Sequence, residues 1–147
     1  MADETAEMLL VEDSTDDVAF FVRTFRRANL AARLHVVANG KEALDFVFGN
    51  GSHNGRTAAN RPRVIFLDLK LPKVSGLEVL RCLKTDPRTR TIPVVALSSS
   101  QEERDLIESY ELGVNSYIVK PMDFDQFGDS VRLIAQYWLQ LNQTPKH

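Results

Sequence analysis

Four short apolar runs, each stopped by a polar residue, constrain this chain more than any other feature. The runs are Met8-Leu9-Leu10-Val11, Val64-Ile65-Phe66-Leu67, Val94-Val95-Ala96-Leu97 and Tyr117-Ile118-Val119. The residues that stop them are Glu12-Asp13, Asp68, Ser98 and Lys120. Runs this short and apolar throughout read as strands covered on both faces. Leu34 to Ala38 is expected as a further short strand. In an open parallel sheet the ligand site lies outside the carboxyl ends of the strands. Three carboxylates, a hydroxyl and an ammonium are therefore expected at one rim. That set suits a divalent cation and a transferable phosphoryl group.

Between the strands the apolar period changes to that of helices. Asp16 to Ala28 carries Val18, Phe21, Val22 and Phe25 at helical spacing, and Gly40 to Phe48 carries Ala43, Leu44 and Val47. Further helices are expected over Leu77 to Lys84, Glu102 to Leu112 and Phe124 to Leu141. Asp86-Pro87 breaks the third helix, and Gly113 is expected to cap the fourth. Residues Gly49 to Arg61 form the one long polar loop, rich in Gly, Asn and Ser. The tail from Asn142 to His147 is expected to fray. Alternation of strand and helix argues for a doubly wound α/β fold, a five-stranded parallel sheet with helices on both faces.

The 147 residues fit one domain with a real core, spanning residues 1–147 and with no output domain expected. A formal net charge of -2 gives no basic footprint, so nucleic acid is not an expected partner. No apolar run reaches the length of a membrane span and the first seven residues do not resemble a signal peptide, so a cytoplasmic protein is expected. The single Cys82 lies in a helical pattern and reads as a small core residue rather than a nucleophile.

Taken singly, each rim residue has two readings. Glu12 and Asp13 are adjacent acids whose repulsion a Mg²⁺ ion would relieve, or they are solvated acids before a helix whose caps are close by in Ser14-Thr15-Asp16-Asp17. Asp16 and Asp17 read as first-turn acids that complement the helix dipole. Asp68 starts a turn, or its carboxylate attacks phosphorus and forms an acyl phosphate. Ser98 donates to a phosphoryl oxygen, or it is a turn serine, a reading that suits Ser99 and Ser100 better. Lys120 is a solvated strand-end lysine, or an ammonium aimed inward ahead of a cis Pro121. Gly76 reads as a positive-φ or close-approach position. Specificity comes from having the whole set at consecutive strand ends.

Together these residues resemble the receiver domain of two-component response regulators, the CheY-like family. The motifs that carry the resemblance are Leu9-Leu10-Val11-Glu12-Asp13, Val64 through Pro72, Ser75 through Leu80, Ile92 through Ser98, and Tyr117-Ile118-Val119-Lys120-Pro121. They cover nearly the whole chain. The resemblance implies a flavodoxin-like (βα)5 fold and roles for individual residues. Asp68 would be the phosphoacceptor. Glu12 and Asp13 would form the acidic pocket for Mg²⁺, with Asp68 and the backbone carbonyl of Lys70 as further ligands. Ser98 would be the switch hydroxyl, Tyr117 the switch aromatic, and Lys120 the phosphoryl contact. A sensor histidine kinase would be the donor. The long loop before strand three, the Leu67-Asp68-Leu69-Lys70-Leu71-Pro72 phrase, Ser109 through Asn115 and Tyr137-Trp138-Leu139 resemble small stand-alone regulators of phytochrome-type kinases. Output would then pass by contact with a downstream protein or a phosphotransfer protein, and the only chemistry would be self-phosphorylation and self-dephosphorylation.

Competing readings are weaker. A phosphohydrolase with an aspartyl nucleophile needs an Asp-x-Asp motif on the first strand and a cap; neither is present. A flavin carrier needs a Gly, Ser and Thr cradle where this chain is acidic. A phosphorylation-independent adaptor does not need the full set of site residues. On the last helix Val131, Ile134, Ala135, Trp138 and Leu141 form an apolar stripe directed mostly at the sheet. With Tyr137 it exceeds one core face, and a homodimer through the last helix and adjoining strand is expected.

Overall fold

The computed structural model describes residues 8–30, 34–49, 62–71, 74–99, 102–120 and 124–143. The strands are β1 (Met8–Val11), β2 (Leu34–Val37), β3 (Val64–Asp68), β4 (Val94–Ser98) and β5 (Ser116–Val119). The helices are α1 (Thr15–Arg27), α2 (Gly40–Phe48), α3 (Gly76–Thr85), α4 (Glu103–Glu111) and α5 (Phe124–Gln136). All strand pairs are parallel, in the order β2-β1-β3-β4-β5. The chain winds one way from β1 to β2 and the other way from β3 on. That reversal between β1 and β3 opens a crevice at the carboxyl edge. Val11 lies level with Leu67, and Asp68 with Leu97. Glu12, Asp13 and Asp68 therefore leave the sheet side by side.

Successive strand residues point to opposite faces, and each face has its own apolar cluster. Leu9, Val11, Ile65, Leu67, Val94 and Ala96 pack with side chains of α2 and α3. Met8, Leu10, Val64, Phe66, Val95 and Leu97 pack with α1 and α5. Burying both faces explains why these strands are apolar throughout rather than alternating.

Local chemistry sets the helix ends. The side chains of Ser14, Asn39 and Ser75 each accept a backbone N–H of the first turn of α1, α2 and α3. Gly49 closes α2 at φ 75°, and Gly113, one residue past the cap of α4, lies at φ 102°. Gly76 has no positive φ. It is a close-approach glycine, since an added Cβ would lie 2.4 Å from the Asp68 carbonyl oxygen and from Leu69 Cα.

Several expectations shift. β2 stops at Val37, and α1 buries Phe20 beside Phe21 and Phe25 while Val18 and Val22 are half-buried. The Phe20 ring stacks on Phe127 of α5, which draws it inward. Cys82 is half-buried at the α2–α3 edge rather than in the core, and burial and Glu78 raise its thiol pKa. Leu141 is 71% exposed, and Leu139 takes the inward place. Buried Phe127, Val131, Ala135 and Leu139 recur every four residues, a spacing that drifts around an ordinary α-helix. The last turn, Tyr137–Leu141, is a wider π-helix closed by the Asn142 N–H on the Tyr137 carbonyl. The wider turn absorbs the drift and turns Leu141 outward. The loop after Gly49 and the tail after Gln143 lie outside the described residues, as does the expected cis Lys120–Pro121 bond.

Candidate functional site

Each rim side chain is delivered by a strand end. Glu12 continues the β1–β2 ladder by donating its N–H to the Val37 carbonyl at 3.0 Å. Its side chain is buried, and Oε2 accepts the Ser14 N–H at 3.2 Å. Asp13 follows and is exposed. Asp68 is buried at the end of β3, and its Oδ1 accepts the Lys70 N–H at 2.9 Å. Ser98 is buried at the end of β4, and its carbonyl accepts the Lys120 N–H at 2.7 Å. That bond carries the β4–β5 ladder past Val119 and points Lys120 back over the crevice.

Lys120 is the hub. Its Nζ donates to Glu12 Oε1 at 3.0 Å, Asp17 Oδ2 at 3.0 Å and Asp68 Oδ2 at 3.2 Å. All three ammonium protons are therefore used. Burial lowers the ammonium's pKa, but the bonds to Glu12 and Asp17 and the nearby Asp68 charge outweigh it, so it stays protonated well above its ordinary range. Burial raises the Glu12 pKa to about 7, and the neighbouring Asp68 carboxylate adds to that while Lys120 opposes it.

One ammonium thus serves Glu12, Asp17 and Asp68, and with Asp13 beside them the pocket keeps excess negative charge. One oxygen each from Glu12, Asp13 and Asp68 lies within 4.8 Å of the other two. Three hard oxygen donors at that separation fit a divalent cation such as Mg²⁺. Such a cation would favour the charged Glu12 carboxylate against the burial that raises its pKa. Asp68 has one donor on each carboxylate oxygen, which orients the group and leaves lone pairs free to attack.

The remaining predicted residues fall around this centre. Tyr117 sits in β5 opposite Ala96 and is half-buried against the α2–α3 cluster. Lys70 turns its N–H toward Asp68 and leaves its side chain exposed. Asp17 was expected only as a helix-dipole acid. The turn between β1 and α1 is so short that the first turn of the helix sits on the rim, and Asp17 reaches Lys120 from there. The one signal for this in the sequence is its closeness to Asp13.

Residues 8–132 match the family model for the response regulator receiver domain. The probable methanogenesis regulatory protein FilR2 of Methanothrix harundinacea is 39% identical over 144 residues, 98% of this chain and 90% of the relative. Response regulator Rcp1 of Synechocystis is 36% identical over 138 residues, 94% of this chain and 92% of Rcp1. The Mn²⁺-bound structure of Rcp1 superposes with a TM-score of 0.82, covering 94% of this chain and 97% of that one. The phosphorylated cyanobacterial phytochrome response regulator RcpA superposes with a TM-score of 0.87 at 34% identity, covering 97% of this chain and 99% of that one.

Proposed function

Since this chain belongs to the response regulator receiver domain family, we propose that it is a phosphorylation switch with Asp68 as the phosphoacceptor. The observation that carries this reading is the convergence of Lys120, Glu12 and Asp68 at the crevice, with Asp13 beside them. Asp68 attacks the phosphorus of a phosphohistidine on a sensor kinase. An acyl phosphate forms and the histidine leaves. Glu12, Asp13, Asp68 and the Lys70 carbonyl would hold Mg²⁺, which would neutralise charge on the phosphoryl oxygens. Lys120 exchanges a carboxylate for a phosphoryl oxygen, and the Ser98 hydroxyl takes another. These contacts exist only after transfer, so they shift the equilibrium between two arrangements of the fold. Tyr117 changes rotamer with that shift.

The kinase in this reading is of the phytochrome type. RcpA is described as a cyanobacterial phytochrome response regulator, and its alignment spans nearly all of both chains. The regulator in this reading works in the cytoplasm and signals by contact with a downstream protein or phosphotransfer protein. Its only chemistry is gain and loss of its own phosphoryl group. A homodimer through α5 and β5 completes the reading. Leu133, Tyr137 and Leu141 are exposed at four-residue spacing along the last helix, and β5 is an edge strand whose residues are all half-buried.

Phosphate-affinity gels with acetyl phosphate test the switch. The expected result is a retarded band in Mg²⁺ that disappears in EDTA and in Asp68→Asn. A band that survives in Asp68→Asn would overturn the assignment.

A further inference from the structure

Helix α4 is seated unlike the others. α1, α2 and α3 each have a side-chain cap and several buried apolar or aromatic residues. The N-cap of α4, Glu102, makes no side-chain cap bond. No side chain of α4 is among the members of either apolar cluster; Leu112 and Val114, just past its end, are. Ile107 and Tyr110 are about half exposed. The one fully buried residue of α4 is Ser109, at 0% exposure. Its hydroxyl is the only buried side-chain polar atom among the described residues that lacks a hydrogen-bond partner. A hydroxyl removed from water and left unpaired destabilises the arrangement that buries it. This helix follows the strand that ends in Ser98.

We infer that Ser109 sets the balance of the switch: its unpaired hydroxyl weakens the seat of α4, so that α4 is displaced at small cost when Asp68 is modified. The inference rests on the receiver reading and names how that site is regulated. The burial penalty is present in the arrangement described and relieved when α4 lifts. A substitution that removes the hydroxyl but keeps the Cβ therefore favours the unmodified arrangement. A ligand at Asp68 must then work against a larger gap.

The test uses the full chain, Ser109→Ala and beryllofluoride as a phosphoryl mimic in Mg²⁺. The expected result has two parts. Amide hydrogen exchange in α4 slows roughly five-fold or more in Ser109→Ala. Beryllofluoride affinity falls by a similar factor. Unchanged α4 exchange would mean that the hydroxyl imposes no penalty, which overturns the inference. Slower exchange with unchanged affinity would make Ser109 merely structural, which overturns it too. A wild-type chain that fails to bind beryllofluoride overturns the receiver reading itself and this inference with it. Wild-type binding beside an unaffected variant overturns this inference alone.

Discussion

Lys120 has the most partners of any residue in the crevice. Its ammonium lies among Glu12, Asp17 and Asp68, with only 17% of the side chain exposed. Removing one partner of a buried ion pair leaves uncompensated charge and costs about 3 kcal/mol. Lys120→Met should therefore lose about that much stability in urea titrations in EDTA, and Mg²⁺ should restore part of it. A loss that Mg²⁺ leaves untouched would mean that the cation does not share this charge. Glu12 gives a pH signature. Burial lifts its pKa from an ordinary 4.5 to about 7. The folded chain then binds the extra proton between those values, so Glu12's contribution to stability is complete below about 4.5 and is lost as pH rises through about 7. The stability difference between wild type and Glu12→Gln, measured in EDTA, should fall across that window. A flat or rising difference would contradict the burial argument. At this scale the sequence was legible wherever a polar residue ended an apolar run. Asp17 was not legible as a Lys120 partner, because a first-turn acid reads the same whether it faces solvent or a rim.

Elements are fixed by caps and close approaches as much as by apolar period. Gly76 begins α3 directly over the end of β3, and its N–H donates to the Leu69 carbonyl at 3.1 Å. A methyl at this position meets the Asp68 and Leu69 backbone, which cannot swing aside as a flexible side chain can. Gly76→Ala should therefore cost about 3 kcal/mol or more in chemical denaturation and slow phosphorylation by moving Asp68. Near-wild-type values for both would show that the backbone yields freely. The strand ends and helix identities were readable because Ser, Asn, Gly and Pro punctuate them in known ways. The inward face of the last helix was readable as far as Trp138, which packs half-buried against the α1–α5 cluster. Beyond it the π-turn replaces Leu141 by Leu139, and nothing in the local sequence marks that widening.

On the scale of the molecule, the parallel order β2-β1-β3-β4-β5 brings residues more than a hundred positions apart to one rim. The same topology leaves β5 as an edge, and the stripe Leu133, Tyr137 and Leu141 lies open on the last helix. Sedimentation equilibrium at tens of micromolar should report a homodimer that Leu133→Glu with Tyr137→Glu reduces to monomer. A strict monomer with and without beryllofluoride would remove that part of the reading. No described helix is long and apolar enough to cross a membrane. The family was legible because its signature is a set of strand-end residues, and strand ends are what apolar runs reveal. The identity of the phosphoryl donor is not written in that signature, because every donor meets the same carboxylate. The most direct measurement is chemical mapping of the phosphoacceptor. The chain is phosphorylated in Mg²⁺, the acyl phosphate is reduced with tritiated borohydride to the alcohol, and the labelled peptide is sequenced. Label at position 68 alone is the predicted result; label at Asp13 or Asp17, or none in a chain that the gel shows to be phosphorylated, would contradict it.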